Sequence, residues 1–178
     1  MTEAATTLLA APEAGPDVAA FRAAMGRFPT GVTLLTQGSG DDAIVMTLNS
    51  LTSVSLDPLL LLVSVKADGR MRPRVARAGS FAVNILAEAQ LDLSTLFCRP
   101  DRPEGALAMR RLGAVPGVTG NAVLPSAAAW FECELHSEHV AGDHALLIGR
   151  VVALEAGVDA RRPLVFHQGG YSRLPEAS

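Results

Sequence analysis

Five small polar side chains crowd one short stretch of this chain: Thr47, Asn49, Ser50, Thr52 and Ser53. They lie in the run Met46-Thr47-Leu48-Asn49-Ser50 and its continuation Thr52-Ser53-Val54-Ser55-Leu56-Asp57-Pro58, downstream of Phe28-Pro29-Thr30-Gly31-Val32-Thr33. Such a surface offers many hydrogen bonds to a polar ligand and almost no charge. Taken alone, it is also what an exposed strand face with ordinary hydroxyls looks like. The apolar residues between the polar ones point to burial, and buried hydroxyls and amides need partners. A ligand would supply them.

Charge is concentrated further on. Arg70, Arg72, Arg74 and Arg77 form the densest positive cluster in an acidic chain. They read either as a solvated helix face or as an anchor for phosphate oxygens, which match the guanidinium fork. Lys66, the single lysine, ends the apolar run Leu59–Val65. It either reaches water from a strand end or sets a cation beside a ligand. His144 follows Gly142-Asp143, while His136 and His139 lie an odd number of positions apart and so face opposite ways on a strand. No zinc set emerges from them. Cys98 and Cys133 are isolated, without metal or redox spacing. Gly38-Ser39-Gly40-Asp41-Asp42-Ala43 matches a dinucleotide-binding pattern in letters only. That pattern needs a helix after it, and Ile44-Val45-Met46-Thr47 continues as strand, so the stretch is a turn. No side chain stands out as a nucleophile. Any catalysis would rest on a borrowed organic cofactor.

The elements that must position these residues follow from periodicity. The chain has 178 residues and a net charge of −3, enough for one domain with a sizeable core. The acidic balance argues against nucleic acid as a partner. Leu59–Val63, the longest aliphatic run, is too short to span a membrane. The N-terminus lacks a basic leader segment, and residues 1–16 read as a disordered tail before a single domain over residues 17–174. Unpaired cysteines suit a cytoplasmic location. Asp17 caps a helix with Val18, Phe21, Met25 and Phe28 on one face, stopped by Pro29. Strands are expected over residues 31–37, 43–55, 59–66 and 81–86, the third buried on both faces. Helices are expected over residues 70–78, 88–97 and 106–112. From Trp130 to His139, Phe131, Cys133 and Leu135 alternate with Glu132, Glu134, His136 and Glu138, a strand with one wet face. Ala141-Gly142-Asp143 turns into a strand over residues 144–154, and residues 164–168 form the last. An antiparallel barrel with peripheral helices fits this order.

With these residues in view, the chain resembles the flavin reductase-like family. The resemblance rests on Pro29-Thr30-Gly31, on residues 46–58, and on Phe81-Ala82-Val83-Asn84-Ile85-Leu86. It extends through Gly142-Asp143-His144, Gly149-Arg150-Val151-Val152 and Gly169-Gly170-Tyr171, in order and spacing over residues 18–174. It implies a split β-barrel that binds FMN or FAD and takes hydride from NADH or NADPH. By that resemblance Pro29, Thr30, Gly31, Thr47, Leu48, Asn49, Ser50 and Ser53 lie along the flavin, with Asn84 close by. Backbone from Ser64, Val65 and Lys66 also faces it, and a Lys66 cation would stabilise the reduced ring. His144 would place the nicotinamide, and Tyr171 would close the ring pocket or cap the core. Family members hold the phosphate with a Ser-x-Thr-like pattern. This chain has Gly69-Arg70-Met71-Arg72-Pro73 there, so Arg70 and Arg72 are the substitutes. A homodimer and a partner monooxygenase receiving reduced flavin are further implications. A split barrel that merely binds flavin or haem is the competing reading.

Overall fold

The fold is that of a computed structural model describing residue 15, residues 17–156 and residues 162–175. Apart from Gly15, the expected N-terminal tail lies outside the described residues. The elements run α1 (Val18–Met25), β1 (Thr30–Gly31), β2 (Thr33–Gln37), β3 (Ile44–Leu48), β4 (Thr52–Leu56), β5 (Leu59–Lys66), α2 (Met71–Ala78) and β6 (Ser80–Ile85). Next come α3 (Leu91–Phe97), α4 (Gly105–Leu112), β7 (Val115–Pro116), β8 (Ala122–Val123), the paired long strands β9 (Ala129–Ala141) and β10 (His144–Ala156), β11 (Val165–His167) and β12 (Gly170–Ser172). The Asp17 carboxylate accepts the Ala20 N–H at 2.7 Å and caps α1. Gly79, in the left-handed region at φ 69°, ends α2.

Seven strands form one antiparallel sheet in the order β3-β2-β6-β9-β10-β5-β4. Its two edge strands, β3 and β4, are joined by the three residues 49–51. Four residue steps reach at most about 14 Å, whereas the edges of a flat seven-stranded sheet stand about 29 Å apart. The sheet must therefore curl until its edges nearly meet. They do not pair with each other, which leaves a barrel with an open seam. The expected single strand over residues 43–55 is thus two strands on opposite sides of that seam, broken where Asn49, Ser50 and Leu51 cross it.

Two apolar clusters fill the interior. One gathers Leu35, Val63, Val65, Val75, Phe81, Val83, Cys133 and Leu147 inside the barrel. The other packs Leu34, Val45, Leu86, Phe97, Leu112 and Leu124 under α3 and α4. Burying a side chain of this size contributes roughly 1.5–3 kcal/mol. Gly149 lets β10 approach closely, because a Cβ there would sit 2.5 Å from Phe81 Cζ and 2.7 Å from Cys133 Cβ. Burial also pushes the Cys133 thiol up to about 12. Leu61, Val63 and Val65 are buried on β5, but the residues between them are only half-covered. That strand is therefore more one-sided than its composition suggests.

Two further expectations change. Val18, Phe21, Met25 and Phe28 remain exposed, so the apolar face of α1 covers no core in this chain. Glu132 is fully buried rather than on a wet face. The loop after β7 folds over it and donates from Val118 N–H at 2.8 Å, Thr119 N–H at 2.9 Å and the Thr119 hydroxyl at 2.5 Å. A Cβ at Gly117 would overlap that carboxylate, so only glycine lets the loop settle there. Removing the carboxylate takes away all three bonds that hold this loop, and a hydrogen bond to a charged group is worth about 1.5–3 kcal/mol. Glu132→Ala is expected to lower stability by about 3 kcal/mol, measured as a reduced urea midpoint. An unchanged midpoint would mean the loop is not held by Glu132.

Candidate flavin cleft

The open seam ends in a cleft of about 520 Å³, within the range of small-molecule sites. One wall is the end of β3 and the crossing: Met46, Thr47, Leu48, Asn49 and Ser50. The facing wall is Ser64, Val65 and Lys66 of β5, with His144 of β10 beside them. The far end is closed by residues 69–71 before and at the start of α2, and by Cys98, Pro100 and Arg102 after α3.

The polar groups are anchored by the protein itself. The Ser50 hydroxyl accepts the Ser64 N–H at 2.9 Å and donates to the Ser64 carbonyl at 3.1 Å, completing the ladder where β4 has begun to diverge. The Thr47 hydroxyl donates to the Ser94 carbonyl at 2.8 Å. The Asn49 amide donates to the Thr30 hydroxyl at 3.1 Å, leaving its own carbonyl to accept. The sequence suggested a ligand as the partner these hydroxyls need. Instead, neighbouring backbone engages Thr47 and Ser50, and they offer the cleft their remaining hydrogen-bonding capacity. Because Ser64 N–H points toward the seam, strand alternation turns the Lys66 N–H the same way. There β4, whose pairing stops at Leu62, no longer covers it.

At the turn of the β9–β10 hairpin, Asp143 Oδ1 lies 2.8 Å from His144 Nδ1. This hydrogen bond, and then the charge of the imidazole when protonated, hold the Asp143 carboxyl below its ordinary range. An ionised Asp143 accepts, so Nδ1 carries a proton, and in the neutral ring the other nitrogen is free to accept from a ligand. His144 stands opposite Lys66 in the β5–β10 register.

The remaining candidates fall elsewhere. Thr30 touches the cleft only through Asn49, and Pro29 and Gly31 flank it outside the lining. Ser53, on the edge strand, faces a separate apolar groove with Leu56 and Leu154. Arg72 is committed to Glu138 at 2.5 Å and to the Ala67 carbonyl at 3.1 Å, so it points away from the phosphate role implied for it. Arg74 holds Gln37 at 2.9 Å and the Asp42 carbonyl, tying α2 to the β2–β3 turn. Asn84 is buried in the core. Its carbonyl accepts the Leu124 N–H at 2.9 Å, and its amide reaches the Leu34 carbonyl at 3.3 Å. Tyr171 packs edge-on against Phe166, and its hydroxyl is 2.8 Å from Ser94 Oγ, so it braces the second core cluster. Arg102, Pro100 and Cys98 are cleft residues that sequence reasoning passed over. Their loop carries no periodicity, and the pair Asp101-Arg102 was the only signal.

A barrel with one open seam, and a neutral cleft that turns cationic at one end, define a class. The flavin reductase like domain matches residues 25–175, and the chain belongs to that family. It is 46% identical over 156 residues to the NADH-dependent FMN reductase AsuE2 of Streptomyces nodosus subsp. asukaensis, covering 88% of this chain and 84% of the relative. A probable flavin reductase of Rhizobium meliloti is 42% identical, and the chain spans 48% of its length. Among solved structures, BorF, the flavin reductase component of a bacterial two-component tryptophan halogenase, superposes with a TM-score of 0.83 at 40% identity. The match covers 90% of this chain and all of BorF. SgcE6 of Streptomyces globisporus C-1027, an NADH:FAD oxidoreductase solved with NAD and FAD fragments, gives 0.80 at 32% identity, covering 89% of this chain and 93% of the other.

Cys98 is exposed on the cleft and Cys133 is buried. Iodoacetamide is expected to label Cys98 alone, and FMN to slow that labelling at least about threefold by mass action. Labelling of Cys98 indifferent to saturating FMN would place the flavin somewhere else.

Proposed function

We propose that this chain is an NADH:flavin oxidoreductase whose flavin lies in the seam cleft and leaves, reduced, for a partner monooxygenase. The observation that carries the reading is the convergence of Thr47–Ser50, Ser64–Lys66, Arg70 and His144 on one cleft, in a chain of this family. The residues fit the group. A flat heterocycle with a polar edge suits neutral walls with fixed donors, and a phosphate suits the end holding Arg70 and Arg102. A bound flavin supplies the capacity to accept a hydride from reduced nicotinamide.

The protein's part is positioning. The Lys66 N–H, fixed by its strand, and the ammonium beside it would face a ring edge on which charge grows. Ser50 and Thr47 fix the wall along which the ring lies. The free His144 nitrogen accepts a hydrogen bond from the carboxamide of the nicotinamide and orients it, and no side chain acts as an obligatory base. Orientation of this kind supplies most of the rate in a direct transfer between two bound rings. NADH is the proposed donor because AsuE2 is NADH-dependent. The match to the styrene monooxygenase flavin reductase of Pseudomonas putida S12, at 36% identity, supports a partner monooxygenase. Two free thiols support a reducing, cytoplasmic setting. Among the described residues no helix is long and apolar enough to cross a membrane. Residues 17–174 act as one domain in this reading.

The working form is a homodimer. Phe21, Met25 and Phe28 of the α1 segment line an exposed groove with Leu51 and Phe166, and that groove shares Asn49 and Ser50 with the cleft. A second copy on this face would shield the apolar residues and stand beside the flavin.

Mixing the protein with NADH and FMN or FAD is expected to give flavin-dependent loss of nicotinamide absorbance. None with NADH or NADPH would reject the reductase in favour of a binding protein. His144→Ala is expected to raise the KM for NADH about tenfold, one hydrogen bond's worth, while the FMN dissociation constant changes little. Equal losses would make the histidine structural. Light scattering is expected to give twice the 18.6 kDa chain mass, and Phe21→Ser to halve it. A monomeric wild type removes the dimer.

A further inference from the structure

Two helices begin at the cationic end of the cleft. α2 starts after Arg70 and α4 after Glu104, and neither N-cap residue makes a side-chain capping bond. Glu104 occupies the position from which a carboxylate often caps, yet its Oε1 turns aside to Arg70 Nη1 at 2.8 Å. The α2 start is therefore left electropositive, while the first N–H of α4, at Gly105, donates to the Ala43 carbonyl at 2.7 Å. Arg102 lies between them. Its Nε donates to the Val45 carbonyl at 2.7 Å and its Nη1 to the Arg99 carbonyl at 3.1 Å. Among the described residues its Nη2 has no hydrogen-bond partner. Burial and then Arg70 oppose its charge, while Glu104 favours it. The corner thus brings the Arg70 and Arg102 guanidinium groups to one end of the cleft, with Glu104 paired to Arg70.

That carboxylate is poised to exchange. Arg70 is 64% exposed and Glu104 40%, and ion pairs this open to water add little stability. A phosphate dianion meeting both guanidinium groups makes stronger, charge-assisted contacts. Taking the cleft as the flavin site, we infer that Glu104 is a built-in competitor for the flavin phosphate. It occupies Arg70 in the free enzyme, gives way when a phosphomonoester bridges Arg70 and Arg102, and returns to help expel it. A tethered carboxylate acts at high effective concentration without being consumed, which suits a protein that hands its flavin on. Arg102, not Arg72, is the second phosphate ligand. The ligand feature recognised is a terminal phosphate carrying two charges, which riboflavin lacks and which the diphosphate of FAD does not present.

The test measures dissociation constants and release rates of FMN and riboflavin, by flavin fluorescence, for the wild type, Glu104→Gln and Arg102→Ala. Glu104→Gln removes the competing charge and preserves shape. It is expected to tighten FMN about three- to tenfold, the size of one screened charge contact, and to slow FMN release, with riboflavin unchanged. Arg102→Ala is expected to weaken FMN about tenfold or more and again spare riboflavin. FMN unchanged or weakened by Glu104→Gln, or riboflavin shifted equally, would overturn the inference while the cleft remains a flavin site. Failure of the wild type to bind either flavin would instead overturn the flavin reading. Because Arg102 also holds the loop through Val45 and Arg99, Arg102→Ala is checked by its melting curve, and Glu104→Gln decides the matter if that variant unfolds.

Discussion

Everything in this structure depends on a connection that is too short. Three residues join the two edges of a seven-stranded sheet, and a chain that short cannot span a flat one. Curling follows, and so does incomplete closure, because the crossing residues occupy the place where the last ladder would form. Ser50 resolves the resulting problem of unpaired backbone. One hydroxyl serves both the N–H and the carbonyl of Ser64, groups that would otherwise be left unpaired beside the cleft. The same substitution of side chain for strand is what opens the cleft.

The cleft divides by charge. Apart from Lys66, its middle is lined by neutral hydroxyl, amide and backbone groups, and neighbours hold Thr47, Asn49 and Ser50, so little ordering of that wall remains to be done when a ligand arrives. Its end gathers permanent cations near two helix starts. A ligand with a flat polar body and an anionic tail has one orientation there. Asp143 and His144 sit beside Lys66, on the tight end of the longest hairpin, where 13-residue strands on both sides hold them against β5. A site that positions rings for direct transfer needs this rigidity more than it needs an acid or a base.

Away from the cleft, the structure handles its polar and apolar surplus in opposite ways. Glu132 is taken inside and wrapped by a loop that Gly117 allows to come close. Phe21 and Phe28 are left outside, on a face that adjoins the cleft. An exposed apolar strip of this kind, continuous with a site, is a normal mark of an interface.

Much of the fold was legible in order and period. The Asp17 cap, the strand–turn–strand at Gly38–Asp42, the α2 helix ending at Gly79 and the Gly142-Asp143 hairpin are local features, set by dihedral preferences and spacing. The sequence by itself determined these, and with them the polar run at residues 47–50, Lys66, Arg70 and His144 that share the cleft. What lay beyond it was every pairing between distant side chains. Asn84 reads as a neighbour of the ligand and Tyr171 as a pocket wall or a core cap; both brace the core, because Leu124, Phe166 and Ser94 are brought to them. Arg72 is taken by Glu138, and Glu132 is hidden by residues 117–119. Arg102 enters the cleft from a loop with no pattern at all. Only the tertiary structure decided which polar groups are used up and which remain free. A hydrogen bond or an ion pair is made by proximity in space, and curling this sheet brings together residues that the linear order keeps far apart.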